Sequence, residues 1–191
     1  MAKRSCVFSG TDLENGVNAL TIRSAKEDDS ERLLEIYAYY VANTAVSFEY
    51  NVPSQEEFRS RVRNTLKKYP YLVLEEDGVI QGYAYAGAFK SRAAYDYSCE
   101  VSIYVDRNAR GHGYGKKLYE ILEEKLKAQG ILNMYACVAS PVVEDEYLTR
   151  NSELFHQHLG FSKAGEFHKC GYKFNRWYNS VWMEKLIGEH Q

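Results

Sequence analysis

Three patterns in the chain predict an α+β domain built on one central, mixed, mostly antiparallel twisted sheet flanked by helices. Short runs alternate apolar and polar residues at period two, other runs switch to helical spacing, and a glycine-rich loop joins the fourth strand, in an antiparallel meander, to an amphipathic helix. The predicted order is β-α-α-β-β-β-α-β-α-β-β, without internal repeats or low-complexity tracts.

Residues 1–18 are polar, carry Gly10 and Gly16 without periodicity, and read as an N-terminal extension or cloning remnant ahead of one domain over 19–188. Leu20 and Ile22 alternate as a short strand. Asp28 with Glu31 three residues on resembles a capping box for a helix carrying Leu33, Ile36, Tyr37, Tyr40 and Val41. Ser54 caps a second helix with Phe58, Val62 and Leu66 at four-residue spacing, stopped by Tyr69-Pro70. Tyr71 to Glu75 and Val79 to Ala88 read as a hairpin turning at Asp77-Gly78, and Ser98 to Val105 continues the meander. From Gly113 to Gln129 the apolar face is Leu118, Ile121, Leu122 and Leu126, and Gly130 ends the helix. Met134 to Ala139 reads as a short buried strand, Ser152 to Leu159 as a helix stopped by Gly160, and Tyr172 to Leu186 as the closing Tyr- and Trp-rich strand region.

Composition narrows the function. A chain of 191 residues with 45% hydrophobic residues can bury one core unaided. A net charge of −2 lacks the basic footprint that phosphate-backbone binding needs, so nucleic acid is not an expected partner. Cys6, Cys99, Cys137 and Cys170 lie far apart, with neither zinc nor disulfide-framework spacing, and read as reduced cytosolic thiols. No run approaches the ~18 apolar residues of a membrane span. The expectation is a cytoplasmic protein with no metal and no membrane partner.

The segment Val101 to Lys117 carries the chemistry. A strand ending at Val105 runs into Arg110-Gly111-His112-Gly113-Tyr114-Gly115 and then a helix. Such a loop binds anions: glycines clear the approach, and the unpaired N–H groups of the first helical turn point at the ligand. Arg110, Lys116 and Lys117 add charge. A dinucleotide fingerprint would follow the first strand of a βαβ unit, and a P-loop would end Gly-Lys-Ser/Thr, whereas here Lys117 follows Gly115-Lys116.

The Arg110-x-x-Gly113-x-Gly115 pattern resembles the pyrophosphate loop of the GNAT superfamily of acyl-CoA N-acyltransferases, and the element order agrees with that fold. Ala45-Val46-Ser47-Phe48, Lys67 to Val73, Gly82 to Gly87, Arg92-x-x-Tyr95-Asp96, Glu100-x-Ser102-Ile103-Tyr104-Val105, His156-x-x-Leu159-Gly160-Phe161 and Gly171-x-Lys173-x-x-x-Trp177 are similar to the phosphinothricin and methionine sulfoximine acetyltransferases. Together these motifs cover nearly all of the chain after residue 20. Three departures stand out: about six extra residues, Val142 to Tyr147; Thr149 in place of the family's asparagine, with Asn151 two residues later; and Trp177-Tyr178-Asn179 in place of Trp-x-Asp.

The resemblance implies an acetyl-CoA-dependent N-acetyltransferase, a homodimer, acting on a small amine acceptor that bears a carboxylate. An amine is mostly protonated at neutral pH, so the reaction needs a base, and the resemblance puts Glu100 there. It puts His156 near the leaving sulfur as proton donor, and gives the cofactor contacts to Ile103, Tyr104, Val105, Arg110, Gly111, His112, Gly113, Tyr114, Gly115, Lys116 and Asn151. Lys90 and Arg92 are expected to form a cationic lip for the acceptor's carboxylate or phosphinate, with Phe48, Tyr95 and Tyr104 walling its pocket beside Glu100 and Tyr97. Trp182 receives no role. The rival readings are a peptide or protein N-terminal acetyltransferase, a non-catalytic acyl-CoA-binding module, and an aminoglycoside modifier, whose polycationic substrate would favour an acidic mouth.

Overall fold

The computed structural model describes residues 19–190, so the predicted polar extension over 1–18, with Cys6, lies outside the described residues. Seven strands form one sheet in the order β1-β2-β3-β4-β5-β7-β6. β1 (Leu20–Ser24), β2 (Tyr71–Glu76), β3 (Val79–Ala88) and β4 (Ser98–Val105) pair antiparallel in sequence order. β5 (Asn133–Pro141) runs parallel to β4, and β6 (Ser162–Lys173) and β7 (Arg176–Leu186) close the other edge antiparallel.

The alternation of side chains across each strand sends two cores to opposite faces. Tyr71, Val73 and Tyr83 pack under α1 (Ser30–Asn43) and α2 (Gln55–Leu66) with Leu33, Ile36, Val41, Phe58 and Val62. Leu72, Leu74, Ala84, Val101, Met134 and Val181 pack on the other face against Leu118, Leu122 and Leu126 of α3 (Tyr114–Ala128). The short α4 (Asn151–His158) adds Phe155 to this second core. Because both faces of β2 are covered, Tyr71 to Leu74 is a continuous buried run.

Local chemistry explains the ends. Ser54 Oγ accepts the Glu57 N–H at 3.2 Å and caps α2 as its sequence indicates. Asp77-Gly78 turns the β2–β3 hairpin with both residues at positive φ. Gly130 and Gly160 take the left-handed conformation just past α3 and α4.

Three sequence expectations are corrected. Asp29, not Asp28, organises the entry to α1: its carboxylate accepts the Lys26 N–H at 2.6 Å across a 3-10 turn, while Asp28 pairs with Arg59 at 2.7 Å. The buried strand extends from Asn133 to Pro141 because β7 pairs with it along its whole length. The first strand of the closing pair begins at Ser162, ten residues before Tyr172. Its outward charged residues and the interruptions in register around Gly165 and between Phe167 and Gly171 hide the period-two signal.

Gly82 shows how tightly β3 and β4 approach. A Cβ placed there would lie 3.0 Å from the Tyr104 carbonyl oxygen and 3.3 Å from Val105 Cα, backbone atoms that cannot rotate away. Gly82→Ala is expected to cost about 1–3 kcal/mol of stability, the usual cost of overpacking. A urea midpoint equal to wild type would show that the strands relax freely.

Candidate active site

The site begins where β4 and β5 part. They pair at only three positions, Ser98↔Asn133, Cys99↔Met134 and Glu100↔Tyr135. Beyond Glu100, β4 stays with β3 as far as Val105, while β5 stays with β7 as far as Pro141. The edge of β4 that faces β5 is left to hydrogen-bond a ligand. A cavity of 50 Å³ occupies the fork, lined by Val101 to Tyr104, Ala136 to Ala139, Tyr119, Ser152, His156 and Val46. It adjoins a cleft of 640 Å³ that shares Val46 and Ile103 with it and reaches the N-terminus of α3.

At that end Gly113 is the residue before α3, at φ +76°, and its lack of a side chain leaves the first helical turn without a side-chain cap. Gly111 is also left-handed, and a Cβ at either position would meet no atom within 4 Å, so here glycine serves the turn and leaves open space. Gly115 does the opposite. A Cβ there would sit 2.9 Å from the Phe155 ring, so its absence lets α4 pack onto the start of α3. The result is a ring of N–H groups at the positive end of a helix dipole, bordered by Arg110 and Lys116. Arg110 lies over the Tyr40 ring at 5.3 Å. Ile103, Val105, Arg110, Gly111, Gly113, Tyr114, Gly115, Lys116 and Asn151 all line the cleft, as does Thr149, and Tyr104 lines the inner cavity. His112 lines neither and stacks on Tyr114.

His156 is 4% exposed. Its Nδ1 lies 2.7 Å from the Ser152 carbonyl oxygen, and its Nε2 lies 3.1 Å from Tyr119 Oη. A carbonyl only accepts, so Nδ1 carries the proton, and the neutral ring accepts a hydrogen bond from the Tyr119 hydroxyl at Nε2. Burial lowers the His156 pKa, opposed by the Ser152 bond, and burial raises that of Tyr119. Tyr119, which the sequence does not single out, is therefore the hydroxyl donor of this pair on the cavity wall. Its position one turn into α3, beside the fork, was the available signal.

Glu100 is the last β4 residue paired with β5, half-buried at the apex of the fork. Burial raises its pKa, opposed by the nearby positive charge of Lys90. The Lys90 ammonium rests over the rings of Phe89 at 4.9 Å and Trp182 at 5.2 Å. Phe89 stacks on Tyr135 at 4.3 Å and meets Trp182 and Tyr95 edge-on. Trp182 thus belongs to the platform under Lys90, a pairing of β7 with the β3–β4 loop that sequence separation concealed. Arg92 and Tyr97 are exposed, so Tyr97 walls no pocket beside Glu100. Phe48 lies apart, on Gly171 and Tyr178.

The extra residues Val142 to Tyr147 form an ordered strap. Asp145 accepts the N–H groups of Tyr147 and Leu148 and the Tyr178 hydroxyl, and pairs with Arg176 at 3.0 Å. The Tyr147 ring stacks on Phe174 at 4.1 Å, and its carbonyl accepts the Ala45 N–H at 3.1 Å. Glu146 to Thr149 thereby form the bank of the large cleft opposite α1. Among the described residues no group of three or more His, Cys, Asp or Glu could hold a metal ion, and Cys99, Cys137 and Cys170 are free thiols. No helix among them is long and apolar enough to cross a membrane.

Residues 22–182 match the family described as the acetyltransferase (GNAT) domain. The chain is 34% identical over 170 residues to a phosphinothricin N-acetyltransferase of Alcaligenes faecalis, covering 88% of this chain and 83% of that one. It is 31% identical over 172 residues to an L-methionine sulfoximine/L-methionine sulfone acetyltransferase of Salmonella typhimurium, covering 90% and 96%. The crystal structure of a GNAT superfamily phosphinothricin acetyltransferase from Sinorhizobium meliloti in complex with AcCoA superposes with a TM-score of 0.80 at 34% identity, covering 88% and 89%.

Because burial lowers its pKa, His156 should be neutral, with its proton on Nδ1, at pH values where an ordinary histidine is half charged. The stability it contributes is complete above the unfolded-state pKa of about 6.5 and is lost as pH falls through the folded one. Nitrogen NMR at pH 6.5 checks this, and a half-protonated ring there would overturn the assignment.

Proposed function

The chain belongs to the GNAT acetyltransferase family, and on that premise we propose that it transfers the acetyl group of acetyl-CoA to the amine of a small, amino-acid-like acceptor of the phosphinothricin or methionine sulfoximine type. One observation carries this reading: the forked strands join an anion seat at the start of α3 to a half-buried carboxylate with raised pKa at the apex. The pyrophosphate lies on the N–H groups after Gly113, with Arg110 and Lys116 beside it, and Asn151 and Thr149 border the arm that runs into the fork. The open β4 edge over Ile103 to Val105 pairs with that arm and supplies donors for the oxyanion.

Glu100 removes a proton from the acceptor ammonium, directly or through one water, and the free amine attacks the thioester carbonyl. Its raised pKa makes it a stronger base than a solvated carboxylate. In the tetrahedral intermediate the attacking nitrogen carries one proton more than the amide keeps. As the C–S bond breaks, that proton passes to the departing sulfur, directly or through water, leaving the neutral amide and the CoA thiol. The Tyr119 hydroxyl lines the cavity beside this step, with its single proton directed at His156 Nε2, which holds the oxygen there. Lys90 and Arg92 receive the acceptor's carboxylate, with Tyr95 and Tyr104 as apolar walls. A cytoplasmic location fits the free thiols. The proposed assembly is a homodimer through edge strand β6 and its hairpin, where Phe167, Tyr172 and Trp177 stand exposed.

Glu100→Gln should lower kcat roughly a hundred- to ten-thousandfold, the usual worth of a general base. Lys90→Met removes the charge that holds the Glu100 pKa down, so the ascending limb of kcat/KM against pH should move to higher pH. A Gln variant within about threefold of wild type, or an unmoved limb, would take the base role from Glu100.

Thiol-release assays on free amino acids and on their amides test the acceptor class. Losing a charge-assisted hydrogen bond to the carboxylate should reduce kcat/KM about tenfold to a hundredfold for the amide. Arg92→Ala should penalise the acid and spare the amide. Equal rates for acid and amide would favour acetylation of peptide N-termini.

A further inference from the structure

Lys173, near the end of β6, is 3% exposed. Its ammonium forms no salt bridge among the described residues. It donates instead to three backbone carbonyls, those of Val41 at 2.8 Å, Thr44 at 2.9 Å and Ser47 at 2.6 Å. Three donors meet three acceptors, so the charge is solvated entirely by the protein. Val41 lies in the last turn of α1, where carbonyls lack helical partners and the dipole is negative, a setting that favours a cation. Burial nevertheless lowers the Lys173 pKa. A buried charge with this penalty is an expensive way to hold a loop and a precise one.

The loop so held has no regular secondary structure, yet every residue from Ala45 to Phe48 is engaged. Ala45 is buried against Leu148 and Tyr178. Val46 lines both the inner cavity and the large cleft, at their junction. Ser47 Oγ shares a hydrogen bond with Tyr37 Oη at 2.8 Å. The Phe48 ring rests on Gly171, where a Cβ would lie 2.3 Å from it. Gly171 and Lys173 stand two residues apart on β6, so one strand face provides both the void for Phe48 and the cation for the backbone beside it.

We infer that Lys173 is a positioning residue for acetyl transfer, fixing the Thr44–Phe48 segment so that Val46 closes the junction of the two cavities. Lys173 itself touches neither substrate. The kinetic part rests on the reaction proposed above, whereas the conformational part does not.

Lys173→Met keeps the aliphatic stem and removes the donors. Amide hydrogen exchange over residues 44–48 should become at least about tenfold faster, with exchange over 110–117 unchanged, because the freed carbonyls release only the segment they belong to. The acceptor KM should rise about tenfold or more while the KM for acetyl-CoA shifts less than about threefold, since the α3 seat is untouched. Gly171→Ala pushes Phe48 from the other side and leaves the ammonium in place. It should raise the acceptor KM alike, and the double variant should show less than the product of the two effects. Wild-type exchange over 44–48 in folded Lys173→Met overturns the inference whatever the activity. If that variant does not fold, an unchanged acceptor KM in Gly171→Ala overturns it. A wild-type protein that acetylates no amino acid would sink the proposed function and leave the exchange result to decide the role of Lys173.

Discussion

The separation of β4 from β5 after three paired residues is the constraint on which the rest depends. Each strand has another partner, β3 for one and β7 for the other, so the two halves of the sheet twist independently once the shared pairs end. The parallel join requires a crossover, and α3 supplies it, which brings the N-terminus of that helix beside the end of β4. An unpaired strand edge and a free helix start, both costly in a closed core, thus lie along one cleft where a ligand with amides and phosphates can satisfy them.

Charge follows that geometry. Arg110, Lys116 and the helix dipole gather at the α3 end, while the fork holds groups whose ionisation burial resists. His156 and Glu100 are both shifted toward their neutral forms, one downward and one upward. The consequence differs because their partners differ. The Ser152 carbonyl and Tyr119 hydroxyl fix one tautomer of His156, whereas Glu100 feels the charge of Lys90 and stays free to take a proton.

Much of this was legible in the chain because local rules set it. Ser54, Gly130 and Gly160 mark helix ends through their own conformational preferences, and the loop from Arg110 to Gly115 binds anions through local backbone geometry. What failed to show was set at long range. β6 was mistimed because its register is broken by bulges and its outer face is charged. Asp28 and Asp29 have the same local credentials as caps; Arg23 engages Asp29 at 2.7 and 2.8 Å, and the distant Arg59, on α2, draws Asp28 away at 2.7 Å. Tyr119 and Trp182 look like packing aromatics until α4 sets His156 against one and the β3–β4 loop sets Lys90 over the other.

Lys173 presents the same problem in its sharpest form. In the sequence it is one lysine in a motif run, four residues before Trp177, with a solvated surface position as its ordinary fate. Its burial follows from the β6–β7 hairpin folding against the end of α1, a contact between residues more than 120 positions apart. The strap from Val142 to Tyr147 meets the same segment from the other side, through the Ala45–Tyr147 hydrogen bond and the packing of Leu148. Thr44 to Phe48 is therefore clamped by two elements that share no local sequence signal. Its irregular backbone can wall a reaction cavity because those distant groups, rather than its own propensities, decide its shape.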